Sequence, residues 1–342
     1  MSAIQQKWIL AICLAYSVGG FATRLAAVDS VHIIRERDQT PIQFTGTIVE
    51  FNGQELTLQT VARRDRRIPT TTVESIVFDQ SDGHRRAKSL RDNRMWKDAV
   101  DAYQHAFREE RREWVQRRIL RDLALCHRAT GDRLMATEMF KRIVESDPET
   151  QYLDAMPLAW VTAELSQSEE KQALQWMADK NSRLWRLLGS SWLLSGSERP
   201  RAIQMLRQLV TMPDPRGASL AVAQLWRTQS VTATASDLRR WQRAIQDMEP
   251  PLRHGAVFVL AQAQSRDRSA VDLAVANFLR IPILYPEHDR LAAAALLSAG
   301  RILEREERTA EAQRVYRELV EQFKETESAA AARTSNVRKK EK

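Results

Sequence analysis

The side chains from which a reactive centre is assembled are few and scattered in this chain. Six histidines, at positions 32, 84, 105, 127, 254 and 288, share no spacing that sets two of them on one helix face as metal ligands. Cys13 and Cys126 are the two cysteines and form no Cys-x-x-Cys; Cys126 falls at an inward helical position beside Leu123, the place of a small buried hydrophobe. No Gly-rich phosphate loop, Gly-x-Ser-x-Gly or His-Glu-x-x-His occurs. Glu304, Glu306 and Glu307 lie close enough for acid–base work, but Arg301, Arg305 and Arg308 stand beside them, the pattern of a solvated helix face. The nine tryptophans and five tyrosines fall mostly at inward helical positions, which makes them core rather than a stacking platform. The expectation is a non-enzymatic chain with no metal and no cofactor.

What remains is surface and charge. The 342 residues carry a formal charge of +8 distributed as Arg-rich patches, so an anionic partner is worth testing, although a solvated Arg/Glu surface explains the same charge. With only 11 glycines and 11 prolines, and Ala, Leu, Arg, Glu and Gln dominant, the composition is helix-forming. The length is large for one compact core and ordinary for a quasi-one-dimensional stack of helix pairs with a small extra module, so an elongated molecule is expected.

Residues 1–22 place Lys7 before the apolar run Trp8–Val18 and the small residues of Gly20-Phe21-Ala22, the layout of a secretory signal peptide, with a retained membrane anchor as the other reading. From residue 29 to 79 the period changes to two. Phe44 to Phe51 alternate, Leu56 to Thr60 repeat the pattern, and further runs at Arg66–Pro69 and Val73–Phe78 complete a small sheet of four or five strands. Asn52-Gly53 between the first two runs is a hairpin signal resting on tolerance of positive φ.

Residues 85–330 are helical and repetitive. Ala136, Phe140 and Ile143 lie four and three apart on one helix face; Ala99, Tyr103 and Ala106 repeat the spacing 37 residues earlier. Ala274, Phe278, Ile281 and Tyr285 recur as Ala312, Tyr316, Leu319 and Phe323, 38 residues on, and Ala202, Leu206 and Leu209 form a fifth copy. About six antiparallel helix pairs follow, with the sheet touching only the first. Residues 333–342 carry no apolar period and read as a disordered basic tail.

Within one unit, Leu123-Ala124, Gly131-Asp132, Ala136, Phe140 and Pro148 resemble the Leu-Gly pair, turn, crossing residue, aromatic and stop of a tetratricopeptide repeat. The fold class this implies is mainly α, an α-solenoid of helix pairs, preceded by a small β-barrel-like domain. Strand lengths and the position of Gly46 resemble Sm-like and SH3-like barrels, without the Asp and Asn residues by which Sm proteins bind RNA. The Tyr285-Pro286 ending resembles the repeat variant of bacterial envelope assembly proteins, over residues 255–330.

The resemblance also implies which residues line a concave groove. Counted from Ala136, they are Arg118, Arg121, Leu125, Arg128 and Ala129; the preceding pair contributes His84, Lys88, Arg91 and Asp92. Equivalent positions in the last two pairs, such as Ala256, Val259, Ala294 and Leu297, are mostly apolar. Arginine forks suit carboxylates and phosphates. The function expected is an exported, periplasmic or envelope-associated scaffold that binds an acidic or C-terminal carboxylate segment of a protein partner at Lys88, Arg91, Arg118, Arg121, Leu125 and Arg128. The alternative is a binder of nucleic acid or anionic polymer using Arg63, Arg64, Arg66 and Arg67 as well.

Overall fold

A computed structural model describes residues 29–34 and 40–340, with side chains to residue 334; the expected signal segment, 1–22, lies outside the described residues. Five antiparallel strands come first: β1 (Asp29–Ile34), β2 (Pro41–Phe51), β3 (Glu55–Gln59), β4 (Asp65–Pro69) and β5 (Val73–Val77), in the order β4-β3-β2-β1-β5. The register between β2 and β3 shifts between Ile48 and Glu50, a bulge that bends the long β2 and lets one sheet curl over Val31, Ile48, Leu56, Leu58 and Ile68. The β2–β3 hairpin turns at Asn52-Gly53, but no positive φ is used there. Asn52 Oδ1 accepts from the backbone N–H groups of Gln54 and Glu55. Gly53 is needed for a different reason: a Cβ would stand 1.8 Å from the Glu149 carbonyl oxygen, and its N–H donates to Asp147 Oδ2 at 2.9 Å.

Fourteen α-helices follow among the described residues: α1 (Asp82–Asp92), α2 (Trp96–Glu109), α3 (Glu113–Thr130), α4 (Arg133–Ser146), α5 (Gln167–Met177), α6 (Arg183–Leu193), α7 (Arg199–Leu209), α8 (Pro215–Gln229), α9 (Ala235–Asp247), α10 (Arg253–Gln264), α11 (Val271–Leu284), α12 (Asp289–Arg305), α13 (Thr309–Gln322) and α14 (Glu327–Lys340). The architecture is an α-solenoid of helix pairs behind a five-stranded sheet. The spaced small and large apolar residues of α2, α4, α7, α11 and α13 are buried at the crossings, as the sequence pattern requires. Tight turns join the helices of three pairs. Gly131 takes φ 87°, and the Asp132 side chain caps α4 by accepting from the Met135 N–H. Arg94 (φ 58°) and Glu307 (φ 60°) take the same left-handed conformation at the turns α1–α2 and α12–α13, which costs a residue with a Cβ about 1 kcal/mol.

Ala136→Leu and Ala312→Leu should each lower stability by roughly 1–3 kcal/mol, because both methyls are fully enclosed at helix crossings. Ala330, exposed on α14, is the matched control. Equal melting temperatures for Ala136→Leu and Ala330→Leu would contradict the helix faces.

The pairing is interrupted once. Between α4 and α5, where a first helix belongs, residues 147–166 form only a 3-10 turn at Leu153–Ala155, with Pro148 and Pro157 blocking a continuous helix. This inner segment crosses the concave side of the solenoid. Leu153, Ala155, Met156, Leu158 and Trp160 are buried. Trp192 Nε1 donates to the Pro157 carbonyl at 2.8 Å, the Ala159 N–H to Ser191 Oγ at 2.9 Å, and Arg216 to the carbonyls of Thr150 and Glu149 at 3.2 and 3.1 Å. The Trp160 ring lies against Gly255 of α10 so closely that a Cβ there would fall 1.9 Å from it.

The helices wrap around this segment until the ends meet. α3 packs on α12, Arg94 pairs with Asp289 and sets its guanidinium 4.1 Å from the Phe323 ring centroid, and Arg290 Nε donates to the Ala129 carbonyl at 3.3 Å. The elongated, open molecule expected from length is therefore corrected to a closed ring, because the apolar side chains of the inner segment are buried only if both halves fold onto it.

Two further expectations change. The sheet docks on α3, in the second helix pair: Trp114 Nε1 donates to the Ile48 carbonyl (3.2 Å), and Arg117 pairs with Glu50 and donates to the Phe51 carbonyl (3.1 Å). The basic tail expected from residue 333 is helical to residue 340, since α14 buries Ala329 and Ala332 and carries the helix onward.

Candidate functional site: an interior ion cluster between two clefts

The positions expected to line a groove do point inward on α3, but the groove is occupied. Arg121 Nε donates to Asp154 Oδ2 of the inner segment at 3.0 Å, and Arg121 Nη1 meets Asp122 Oδ1 at 3.0 Å. Arg91 Nη1 reaches the same Asp122 oxygen at 2.7 Å, and Tyr103 Oη donates to Asp122 Oδ2 at 3.1 Å. Arg128 Nη1 donates to the Asp154 carbonyl at 3.1 Å. Leu125 is buried on the same helix. Arg118 turns aside and sets its guanidinium 5.5 Å from the Phe78 ring centroid, and Lys88 is exposed on α1.

Four of the six expected residues thus belong to one buried assembly rather than to a free cationic stripe. The reason is electrostatic. Stacked cations inside a protein require counter-charge, and this chain supplies it from Asp122 and Asp154. Burial alone would raise the Asp122 carboxyl; Arg91 and Arg121 hold it below the ordinary carboxylate range. Burial opposes the charge of Arg121 too, and Asp154 and Asp122 more than restore it. Arg128 differs: burial pushes it down to about 10, because Asp154 and Glu287 compensate it only in part.

Two clefts flank the cluster. One, of about 460 Å³, opens between α9, α10 and α11 and is lined by Arg121, Arg253 and Arg280 with one acid, Glu287, over a floor that includes Ile245 and Leu260. Arg253 donates to the carbonyls of Met248 and Gln246, and Arg280 to Asn277 Oδ1; among the described residues neither has a carboxylate partner. The other, of about 610 Å³, lies at the ring seam, where the C-terminal end of α3 and residues 157–164 face the starts of α12 and α14.

A residue pair that sequence reasoning missed lies between the clefts. His254 and His288 stack at 3.6 Å between ring centroids, both buried. Burial and the nearby Arg128 push His254 down to about 3; burial and its stacked neighbour hold His288 well below the usual histidine range. No repeat signal marks the pair: the two units are offset by 38 residues and the histidines by 34, so His254 in the first turn of α10 meets His288 at the start of α12 only through the packing of the two helices. Cys126, as expected, is buried, and burial raises its thiol to about 12, an unreactive state.

Among the described residues no helix is long and apolar enough to cross a membrane. A family model of the tetratricopeptide repeat matches residues 294–326, from within α12 through α13 to the turn before α14. No curated protein and no solved structure matches the chain. The matched repeat and the helical architecture fit a tetratricopeptide-like protein. Such repeats are typically non-catalytic and support a protein–protein interaction scaffold in general.

Proposed function

We propose that the protein is an exported, non-catalytic scaffold that holds an acidic segment of a protein partner, and that the segment lies in the cleft between α9, α10 and α11. The observation that carries this reading is the pair Arg253 and Arg280, two cations without carboxylate partners among the described residues, facing an apolar floor with Glu287 as the only acid lining the cleft. A segment alternating carboxylates with apolar side chains satisfies both. The inner segment offers an internal precedent, since Asp154 already sits in the Arg121 fork on the other side of the same wall. Export rests on the residue pattern of 1–22, and the envelope setting on the Tyr285-Pro286 repeat ending. The strand order and bent β2 support an Sm/SH3-like reading of the sheet, whose role here is to hold the second helix pair.

Arg253→Glu with Arg280→Glu should leave helicity intact and weaken capture of partner from envelope extract at low salt by more than tenfold, each lost charge-assisted contact costing about 1.5–3 kcal/mol. Undiminished capture would remove the cleft from the function. Arg121 and Arg128 do not serve this test, because substituting them unbalances Asp154. The nucleic-acid or anionic-polymer alternative has its own surface: Arg63, Arg64, Arg66 and Arg67 are exposed on and beside the edge strand β4. Edge-strand charges also guard against sheet-to-sheet association. Steeply salt-dependent binding of single-stranded or duplex oligonucleotides, lost on replacing these four residues, would favour the alternative.

A further inference from the structure

Buried polar side-chain atoms without a hydrogen-bond partner gather at the ring seam: Trp160 Nε1, both ring nitrogens of His288, and His254 Nε2 behind them. Trp160 and His288, 4% and 3% exposed, line the 610 Å³ seam cleft together with Arg128. An indole N–H can only donate, and a neutral imidazole has one N–H to give. Arg128 spends one donor on the Asp154 carbonyl and has no carboxylate partner among the described residues. Of the other charges at this cleft, Arg133 is engaged with Glu169, Arg290 with Glu327 and Asp289 with Arg94, and Glu164 is exposed to solvent. What the buried donors Trp160 and His288 lack is an acceptor, and what Arg128 lacks is a carboxylate.

We propose that the seam cleft is a binding site for a single carboxylate group, which accepts from Arg128, from Trp160 Nε1 and from His288. A planar monoanion suits the guanidinium fork. A dianionic phosphate suits it less, because Glu164, Asp289 and Glu327 also line the cleft. The volume is that of a ligand site able to take the end of a short peptide. The inference rests on the scaffold reading only for the source of the carboxylate, a peptide; the site is distinct from the Arg253 and Arg280 cleft.

The test is titration of the full chain with four probes: N-acetyl-trialanine as free acid, its C-terminal amide, N-acetyl-Ala-Asp-Ala amide, and inorganic phosphate. The readout is the Trp160 indole ¹⁵N–¹H resonance, assigned by its loss in Trp160→Phe, together with the melting temperature. At least one peptide carboxylate should shift that resonance saturably and raise the melting temperature, and Arg128→Gln should weaken the effect at least tenfold. Trp160→Phe, which keeps an aromatic ring and removes the donor, should weaken the melting shift several-fold, so the test survives if Arg128→Gln does not fold. Binding of the free acid alone identifies a chain terminus, and binding of the aspartyl amide a side chain; either supports the site. No movement of the Trp160 signal by any peptide carboxylate, equal movement in Arg128→Gln, or tighter binding of phosphate would overturn it. A protein partner captured equally by wild type and Arg128→Gln would leave the scaffold reading standing while counting against the seam site. Peptide binding at the seam with no captured partner would do the reverse.

Discussion

Asp154→Ala lowers the folding stability by about 3–5 kcal/mol, as expected when one partner is removed from a buried ion pair and the other charge is left behind. Asp154 is buried, and its carboxylate holds Arg121, while its carbonyl accepts from Arg128. Without it Arg121 retains only Asp122, which Arg91 already shares. Denaturant midpoints of the wild type, Asp154→Ala and the paired Arg121→Met, Asp154→Leu chain measure this. The paired chain should recover a large part of the loss, because a buried ion pair is replaced by apolar side chains instead of being broken. A loss below about 1 kcal/mol for Asp154→Ala would mean that solvent from the adjoining cleft screens Arg121 well enough to replace Asp154.

Acidification should loosen the same region. His254 and His288 are held neutral in the fold, with pKa values depressed below the unfolded value of about 6.5. Between the depressed and the unfolded values the unfolded chain binds more protons, so stability rises with pH across that window and is lost as pH falls through it. The His254 pKa of about 3 makes its share at pH 5 about 2 kcal/mol, and His288 adds to it in the same sense. The groups facing the pair fix the sign. Arg128 and Arg121 oppose a second positive charge, and Asp154 favours it more weakly. Glu287, raised by burial, works in the opposite sense and reduces the slope. Melting temperatures between pH 7.5 and 5 should fall steeply for the wild type and much less for His254→Leu, His288→Leu. Parallel curves for the two chains would place the acid-sensitive groups elsewhere, with His84 and His127, also lowered by burial, next in line.

The sequence by itself determined the elements and their faces. The crossing residues of five helices, the turn at Gly131-Asp132, the β2–β3 hairpin and the inward face of α3 are all carried by local periods of 3.6 or 2 and by backbone preferences, which neighbouring residues encode directly. It did not determine what the inward groups meet. Arg121 finds Asp154 33 residues away and Arg94 finds Asp289 195 residues away, across a ring whose closure is the sum of small rotations between successive helix pairs. Gly53 illustrates the division: a glycine marked the turn, yet the backbone contact that requires it comes from Glu149, at the start of the inner segment. The arginines expected to await a partner are held by the chain itself, because the one repeat whose first helix is missing sends an extended segment through the groove. Its degenerate pattern showed where regularity fails. Only the curvature of the whole solenoid decided that this segment lies inside, and that Arg128, Trp160 and His288 are brought to one seam.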